Sequence, residues 1–481
     1  MEENIIWEPQ PRQVAFMERP EYEVLYGGAA GGGKSEALMI EALRQVHIPH
    51  YKGIVFRKTY QQLTELIDKS EKYYSKAFPR AKYNKTEHCW KFPSGAKIYL
   101  GNMQSSDYKT KYHGKAFDFV GFDELTHFTY DEYSYMFSRN RASGPGTRVY
   151  IRATTNPGGI GHGWVKERFI TAAPPMTPIT EDVEVTRPDG KKIKMSRKRI
   201  FVPATVFDNQ ELLQNNPGYL ASLAMLPEAQ RKAQLEGLWD SFEGQVFTEW
   251  RNDPAHYDDR RWTHVINPFK IPSTWRIYRG FDWGYSKPFS VGWYAVDHDG
   301  RIYRIREYYG CDGTPNKGIK LHAKEVAAKI REIEQEDPNL KGKTIMGVAD
   351  PAIFAEENGT SIASMMEQSP NFVTWDKGDH TRLAGKMQYH YRFAFDEEGM
   401  PMFQIFNTCK HFIRTIPNLI YDEKDVEDID TDGEDHIYDE CRYVLMENPI
   451  APRKNEAKVE LKDDPLELYD RKGNYKFING I

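Results

Sequence analysis

The sequence has few cysteines and no long apolar segment. Its four cysteines, at positions 89, 311, 409 and 441, are spread too widely over 481 residues for a CxxC zinc pair or a disulfide framework, so we expect reduced thiols. No apolar run reaches the ~18 residues that a membrane-spanning helix needs. The first ten residues, MEENIIWEPQ, lack the charged and then apolar order of a signal peptide. We therefore expect a soluble protein that stays inside a cell.

The sequence also lacks a large excess of charge of either sign. Its 65 Lys and Arg residues oppose 70 Asp and Glu residues, and the formal net charge is −5. The whole molecule is therefore not a polycation, and any contact with nucleic acid must use local basic surfaces. Apolar residues make up 40% of the chain and charged residues 28%, which excludes a disordered chain or a fibre. The length allows two large domains or three smaller ones.

In the first half of the chain, short apolar runs alternate with helical stretches. This pattern is typical of an α/β domain with a parallel-rich sheet flanked by helices. The predicted strands are 23–26, 52–56, 97–100, 117–122 and 148–153. A hairpin is predicted over 183–200, with a turn at Pro188-Asp189-Gly190 and a basic second arm. Two interpretations of that arm remain open: a solvated edge strand, or a contact with nucleic acid.

A helical stretch is predicted over 216–237, and a domain boundary between about 244 and 271. No long Gly/Ser or Pro tether lies there, so we expect the two halves to pack together. Three extended runs then follow with tight connections, which favours an antiparallel meander. These runs are 276–282, 290–296 and 302–309, and a helix over 319–335 and a strand over 344–349 come next.

The strongest motif is GAAGGGKS at residues 28–35, an intact GxxxxGKS sequence. An extended run precedes it and an apolar-faced helix follows it, as a phosphate-binding P-loop requires. Glycines such as Gly28, Gly31 and Gly33 let backbone N–H groups turn toward phosphates at the helix N-terminus. We expect Lys34 to reach the phosphates of ATP and Ser35 to bind Mg²⁺. The alternative is a merely flexible glycine-rich turn.

A P-loop needs one carboxylate near the metal and another that activates water. The buried run that ends at Phe122 is followed directly by Asp123 and Glu124. We assign Asp123 to Mg²⁺ and Glu124 to the role of general base. The alternative is that these two acidic residues only cap a helix. The presence of a P-loop in the same chain favours the catalytic interpretation.

Three polar residues, Thr154, Thr155 and Asn156, end another predicted strand and are followed by Pro-Gly-Gly. Hydroxyl and amide groups in this position can sense the γ-phosphate and report its loss. An ordinary strand-to-loop turn is the alternative.

Arginines stabilise the charge that develops on a transferred phosphate. Arg57, Arg139 and Arg141 are candidates for this role, although each could be a surface charge. Near the start of the chain, Gln13 could read the edge of the adenine.

A second set of carboxylates lies in the second half. Asp282 and Asp350 each end a predicted strand, and Asp439 lies on a predicted helix three residues after His436. Two strand-end carboxylates and one from a helix are the oxygen ligands that a two-metal phosphodiester site needs. Asp435 could take the place of Asp439, and each Asp could instead be a structural cap. The basic residues that could line a DNA backbone here, or a solvated helix face, are Lys377, Arg382 and Lys386.

These motifs, in this order, resemble those of the large terminase subunit of tailed bacteriophages, over about residues 7–445. The resemblance rests on the motifs above together with GHGW at 161–164, LEGLWD at 235–240 and HIYDECRY at 436–443. Many members have Ala after the last Asp, and here Glu440 stands there as a further possible ligand.

The resemblance implies a P-loop ATPase domain at 1–250, with a linker subdomain at about 180–250. A linker at 251–270, an RNase H-like α/β nuclease domain at 271–450 and a tail at 451–481 follow. It implies ATP and Mg²⁺ as cofactors, with Mn²⁺ possible at the nuclease site, where His436 stands at the position of an extra metal contact in some members.

The resemblance also implies a role in packaging viral DNA. The expected partners are double-stranded DNA, the small terminase subunit and the portal protein of the procapsid, with no membrane. We expect self-association into a ring on the portal, a monomer when free, and a location in the cytoplasm of an infected bacterium. Two other functions are considered: an assembly ATPase whose second half is a docking module without nuclease activity, and a host repair helicase-nuclease.

Overall fold

The computed structural model describes residues 5–451 apart from 106, 227–230, 240, 241, 243, 357, 423, 424 and 426. It contains two β-sheets, one of nine strands in the first half of the chain and one of seven in the second half. Helices accompany both sheets along the chain, so the α/β class predicted from the sequence is confirmed. The predicted tail lies outside the described residues. No helix among those described is long and apolar enough to cross a bilayer.

The first sheet has the strand order β3-β4-β5-β2-β6-β7-β1-β9-β8. The six strands from β5 to β9 in this order run parallel, and antiparallel strands complete both edges. The strands are β1 Glu23–Gly28, β2 Lys52–Arg57, β3 Lys82–Asn84, β4 Cys89–Lys91, β5 Lys97–Asn102, β6 Phe119–Phe122, β7 Tyr150–Thr155, β8 Ile179–Thr186 and β9 Lys192–Ala204.

The helices of the first half connect and flank this sheet. They are α1 Pro11–Met17, α2 Lys34–Glu41, α3 Tyr60–Ala77, α4 Tyr108–Tyr112, α5 Tyr130–Tyr135, α6 His162–Val165, α7 Gln210–Asn215 and α8 Tyr219–Ala224. All residues of β1 and β7 are buried, as apolar strands covered on both faces should be. Because β1, β6 and β7 are parallel neighbours or near neighbours, their carboxyl ends meet at one edge of the sheet.

All five strands predicted for the first half are present, with ends shifted by up to two residues. The sequence missed β3 and β4, which have only three residues each and show no clear alternation. The helix predicted over 216–237 is not continuous among the described residues: α8 ends at Ala224, and a π-helical turn spans Lys232–Glu236.

The predicted hairpin is formed by β8 and β9, and β9 continues into the sheet beside β1. Its basic arm is partly neutralised by the facing strand. Lys192 Nζ lies 2.6 Å from Glu184 Oε1, and Lys194 Nζ lies 2.8 Å from Asp182 Oδ2. These pairs are solvent-exposed, as expected for an edge strand, and the possible contact with nucleic acid stays a prediction.

The second sheet has the strand order β10-β16-β13-β12-β11-β14-β15. Its centre is the predicted meander of β11, β12 and β13, and the remaining strands join in parallel. The strands are β10 Val265–Ile266, β11 Arg276–Asp282, β12 Ser290–Val296, β13 Ile302–Tyr309, β14 Ile345–Ala349, β15 Asp376–Lys377 and β16 Phe403–Phe406. The helices are α9 Ala323–Glu336, α10 Ile362–Glu367, α11 Arg382–Phe393, α12 Lys410–Thr415 and α13 His436–Glu447.

The segment predicted as a linker, 251–270, contributes β10 to the second sheet. Just before it, the Val246 amide donates to Leu419 O at 3.0 Å, and the Gln245 side chain donates to Pro417 O at 2.9 Å. The chain between the sheets is therefore bonded to the second half, in agreement with the absence of a flexible tether.

Candidate phosphate and carboxylate sites

The glycine-rich loop joins β1 directly to α2, in the strand-loop-helix order that the sequence predicts. Gly31 and Gly33 adopt φ values of 73° and 65°, a left-handed conformation that favours glycine. No acceptor for the backbone N–H groups of residues 31–35 occurs within the described part of the chain. These amides surround the N-terminus of α2, so they form a cradle suited to a phosphate.

Lys34 is buried at the first position of α2, and its ammonium group donates to Ala29 O. Burial lowers its pKa, and the negative charges of Glu124 and Asp123 oppose that shift. Lys34 therefore lies between the loop and the two carboxylates that the sequence places at the end of β6. Ser35, the predicted magnesium contact, follows it and is half-buried.

Three contacts around the loop come from distant parts of the chain. The Gln13 amide donates to Gly33 O at 2.9 Å, the Asn209 amide donates to Gly31 O at 2.7 Å, and Ala30 N donates to Gln234 O at 2.8 Å. Gln13 thus touches the P-loop, and its contact with adenine stays a prediction. No sequence signal pointed to Asn209, because an Asn that starts a short helix usually only caps it.

Asp123 is fully buried, and both of its oxygens have partners. Arg57 Nε donates to Oδ2 at 2.6 Å, and the Thr154 hydroxyl donates to Oδ1. Arg57 also contacts Glu65 Oε2 at 3.2 Å. Arg57 and Asp123 therefore form an ion pair within one chain. Thr154 holds this pair, and it is the first residue of the predicted phosphate-sensing segment Thr154-Thr155-Asn156, called the coupling motif below.

Glu124 follows Asp123 in a left-handed conformation with φ of 57°. The Asn156 amide donates to Glu124 Oε1 at 3.2 Å and to Oε2 at 3.4 Å, and Glu124 N donates to the Thr154 hydroxyl at 3.3 Å. Thr155 points elsewhere: its hydroxyl contacts the Thr126 hydroxyl at 3.3 Å. The predicted coupling motif thus holds both carboxylates directly.

Arg139 and Arg141 lie near the amino end of β6, whereas the candidate carboxylates follow its carboxyl end. Phe117 N donates to Arg139 O at 2.9 Å, and Arg141 N donates to Phe117 O at 3.0 Å. Phe117 lies before β6 and Asp123 directly after it, and the four strand residues between them span about 13 Å at about 3.3 Å per residue. The backbones of Arg139 and Arg141 therefore lie at the amino end of β6, opposite the end that is followed by Asp123 and Glu124.

The second set of carboxylates gathers at the ends of β11 and β14. These strands pair in parallel, with Phe281 opposite Ala349, so Asp282 and Asp350 follow at adjacent positions. Burial raises the pKa of Asp282 well above its usual range, and the nearby charges of Asp439 and Asp350 raise it further. The three aspartates predicted to act together therefore share one electrostatic environment.

Two arginines hold Asp439 on α13. Arg442 donates from Nε and a terminal nitrogen to Asp439 Oδ1 at 3.0 and 2.9 Å, and Arg382 contacts both oxygens at 3.4 Å. Arg382 also donates to Asp428, and the buried Lys386 donates to Glu427 O. Two of the three basic residues proposed for a DNA surface thus have acceptors within the chain.

His436 and Asp435 complete the cluster at the start of α13. His436 Nδ1 lies 3.3 Å from Asp282 Oδ2 and 3.9 Å from Asp435 Oδ1. Burial raises the pKa of Asp435 to about 7, with Asp439 adding to the shift. The sequence alone could not show which of these aspartates lies beside His436. In the structure Asp435 lies beside it, and the choice between Asp435 and Asp439 as third ligand stays open.

Glu440 does not face this cluster. Its Oε1 accepts from the Tyr294 hydroxyl at 2.7 Å, and its Oε2 accepts from Ser290 at 3.0 Å and from Arg304 at 2.7 Å. Both Glu440 and Arg304 are fully buried. Because its oxygens are bonded inside the core, Glu440 is a structural residue, and the further metal ligand that the sequence allowed is not supported.

Comparison with known proteins finds a family match for the first half of the chain. Residues 25–251 match the family described as terminase large subunit, T4likevirus-type, N-terminal. Over these residues the chain is similar to the N-terminal part of terminase large subunits. A comparison with curated proteins finds no match.

Three solved structures are similar to this chain. The large terminase of a thermophilic bacteriophage, in complex with ATP-gamma-S, is 16% identical, with 91% of this chain and 98% of that chain covered and a TM-score of 0.35. The large terminase of bacteriophage HK97 is 10% identical, with 92% and 94% covered and a TM-score of 0.43. The nuclease domain of the P22 large terminase is 16% identical, with 43% and 92% covered and a TM-score of 0.32.

The carboxylate cluster beside the second sheet has donors suited to a divalent cation, but these donors are not arranged around one point. Among the described residues, no three His, Cys, Asp or Glu side chains are grouped so that they could hold a metal ion. Arg442 and Arg382 instead occupy the oxygens of Asp439. The donors nevertheless fit Mg²⁺ or Mn²⁺, because these ions prefer carboxylate oxygens and would relieve the repulsion that raises the pKa of Asp282.

Proposed function

We propose that this chain is a large terminase subunit that hydrolyses ATP to move viral double-stranded DNA into a procapsid, and that it cuts concatemeric DNA with a metal-dependent endonuclease. The observation that carries the proposal is the presence of two separate carboxylate groups at strand ends. One group lies beside a P-loop in the first sheet, and the other lies at adjacent strand ends of the second sheet.

The P-loop half supplies the groups that an ATPase needs. The free amides of residues 31–35 and the Lys34 ammonium group are placed to bind phosphates. Glu124 is the general base that takes a proton from the attacking water, and Asn156 holds its carboxylate in place. Ser35 and Asp123 would hold Mg²⁺, which neutralises phosphate charge when bound. Thr154 and Asn156 bond these carboxylates to the end of β7. A movement of the carboxylates after phosphate release can therefore be transmitted to β7.

The second half supplies the groups that a nuclease needs. Asp282, Asp350 and Asp439 would hold the metal ions, with His436 and Asp435 beside them. Bound Mg²⁺ or Mn²⁺ would activate water and stabilise the leaving oxygen. Arg442 and Arg382 bind the Asp439 carboxylate. When a metal is bound, these arginines would orient Asp439 without contacting the metal themselves. We infer an RNase H-like nuclease domain at 271–450.

We propose the remaining organisation on the same basis. The ATPase domain spans 1–250, with a linker subdomain at about 180–250 and a linker at 251–270. The partners are double-stranded DNA, the small terminase subunit and the portal protein, on which several copies form a ring, in the cytoplasm of the infected host. The backbones of Arg139 and Arg141 lie at the opposite end of β6 from Asp123 and Glu124, which favours a neighbouring subunit as the place where either would act.

Two variants test the ATPase. Lys34→Ala should weaken ATP binding, measured by calorimetry, because the phosphates lose their cation. Glu124→Gln should bind ATP normally and release almost no phosphate, because the amide cannot accept the proton. Unchanged phosphate release by Glu124→Gln would contradict the role assigned to Glu124.

Asp282→Ala and Asp350→Ala test the nuclease. Each should abolish Mn²⁺- or Mg²⁺-dependent cutting of plasmid DNA while ATP hydrolysis continues. Asp299→Ala, in an exposed turn of the same sheet, is the matched control and should cut normally. A wild-type protein that hydrolyses ATP but fails to cut DNA, whichever divalent metal is added, would favour the docking-module alternative.

A further inference from the structure

Asn316 lies in the loop between β13 and α9 and reaches the start of α13. Its side-chain amide donates to Gly433 O at 2.9 Å and to Asp432 O at 3.2 Å. Backbone carbonyls only accept hydrogen bonds, so these two contacts fix which end of the amide is nitrogen. The Asn316 carbonyl oxygen therefore faces His436 Nε2, at 2.9 Å.

This contact determines where the proton of a neutral His436 lies. An amide oxygen can only accept, so Nε2 must carry the hydrogen that it receives. Nδ1 is then the bare nitrogen, and it lies 3.3 Å from Asp282 Oδ2. When Asp282 is ionised, its carboxylate oxygen and the bare nitrogen are both acceptors, so this pair of atoms suits a cation that both could bind.

We propose that Asn316 is a positioning residue: it holds His436 in the Nε2–H tautomer, so that Nδ1 is presented as a nitrogen ligand beside Asp282. The inference rests on the proposed nuclease function. A metal-binding histidine commonly donates its other N–H to an acceptor that orients the ring. Here that acceptor is the side-chain amide oxygen of Asn316, in the loop between β13 and α9, and Asn316 belongs to none of the sequence motifs.

The loop that carries Asp432 and Gly433 has a second anchor, so variants of Asn316 should keep it folded. Glu434 accepts from Arg414 at 2.6 and 2.7 Å and from the Tyr309 hydroxyl at 2.9 Å. Asn316 itself has φ of 59°, a conformation that glycine tolerates and aspartate adopts more readily than most residues. Glycine and aspartate are therefore the informative substitutions.

The test uses the full chain in two measurements. In metal-free protein with ¹⁵N-labelled histidine, assigned with His436→Gln, ring ¹⁵N shifts should show Nε2 protonated and Nδ1 bare in the wild type. Asn316→Gly should shift the ring toward a mixture of tautomers. Asn316→Asp keeps an acceptor for Nε2–H but loses the donor to Gly433 O and Asp432 O, so Nε2 should stay protonated while the loop relies on its Glu434 anchor.

In the second measurement, Mn²⁺ binding is followed by electron paramagnetic resonance, and the nuclease site is defined as the binding lost in Asp282→Ala. Asn316→Gly should weaken it by about 10- to 100-fold, and Asn316→Asp by much less. Asn358→Gly is the matched control: an exposed Asn at φ of 53°, which should bind as the wild type does.

The outcomes separate this inference from the proposed function. A wild type that binds Mn²⁺ and cuts DNA but carries the proton on Nδ1 overturns the inference alone. The same holds if Asn316→Gly leaves both the tautomer and Mn²⁺ affinity unchanged. If the wild type and Asp282→Ala bind Mn²⁺ equally, no binding depends on Asp282. That result overturns both the proposed nuclease function and the ligand role of His436.

Discussion

The side-chain amide of Asn156 holds both carboxylate oxygens of Glu124, at 3.2 and 3.4 Å. The two residues come from the ends of neighbouring parallel strands, β6 and β7. A general base must be aimed at the proton that it accepts, and a small misplacement costs much of the rate. This contact therefore makes Asn156 part of the candidate hydrolytic site.

Asn156→Ala should lower the kcat of ATP hydrolysis by about 100-fold and leave KM for ATP nearly unchanged, because Glu124 loses its orientation but the P-loop stays intact. Phosphate release at varied ATP concentration measures both constants. Asn102→Ala, at the end of β5 on the same sheet edge, is the control and should remain active. A kcat near that of the wild type would contradict the assignment.

Variants of Asn209 test the contact between the loop that follows β9 and the P-loop. Its amide donates to Gly31 O at 2.7 Å, and its oxygen accepts from Leu212 N at 3.2 Å as the cap of α7. Asn209→Asp keeps the cap but loses the donor, whereas Asn209→Ala loses both. Both variants should raise KM for ATP by about 3- to 10-fold, the worth of one hydrogen bond. If only the alanine variant changes KM, the cap matters and the contact with Gly31 does not.

Arg304 and Glu440 form a fully buried ion pair next to the carboxylate cluster of the second sheet. Arg304→Met should destabilise the protein by about 3–5 kcal/mol, because Glu440 is left charged and buried without its cation. Thermal unfolding should show a melting temperature lower by about 10 °C. Lys329→Met, which breaks an exposed pair with Glu332, is the control and should melt as the wild type does. Equal melting of Arg304→Met and the control would refute this reading of the pair.

His264 should make the protein sensitive to mild acid. Burial lowers its pKa to about 4, against about 6.5 in an unfolded chain. The folded state binds fewer protons, so its stability is complete above about pH 6.5 and falls as the pH drops toward 4, by about 3 kcal/mol in total.

Chemical denaturation at pH 7 and pH 5 measures that loss. His264→Gln should reduce it, since glutamine does not titrate, while the exposed His256→Gln should keep it. The Arg251 N–H donates to His264 Nδ1 at 2.9 Å, and Nε2 lies 2.9 Å from Phe393 O, so the neutral ring is the bonded form. The same loss of stability in both variants would assign the acid sensitivity to other groups.

Much of this protein could be predicted from local sequence. The GxxxxGKS motif between a strand and a helix predicted the P-loop, because glycine conformation and strand and helix periodicity are properties of short segments. The meander from β11 to β13 was predicted with the observed bounds, since its turns are short and its strands regular. The aspartates at strand ends followed from the same pattern.

The tertiary structure alone decided how those side chains pair. The sequence could not show that Arg57 binds Asp123, that Glu440 turns into the core toward Arg304, or that Asn316 reaches His436 across 120 residues. Such contacts depend on how whole strands and loops pack, and no local propensity specifies a partner so far along the chain. Short segments therefore determined which chemical groups this protein carries, and packing decided which of them meet.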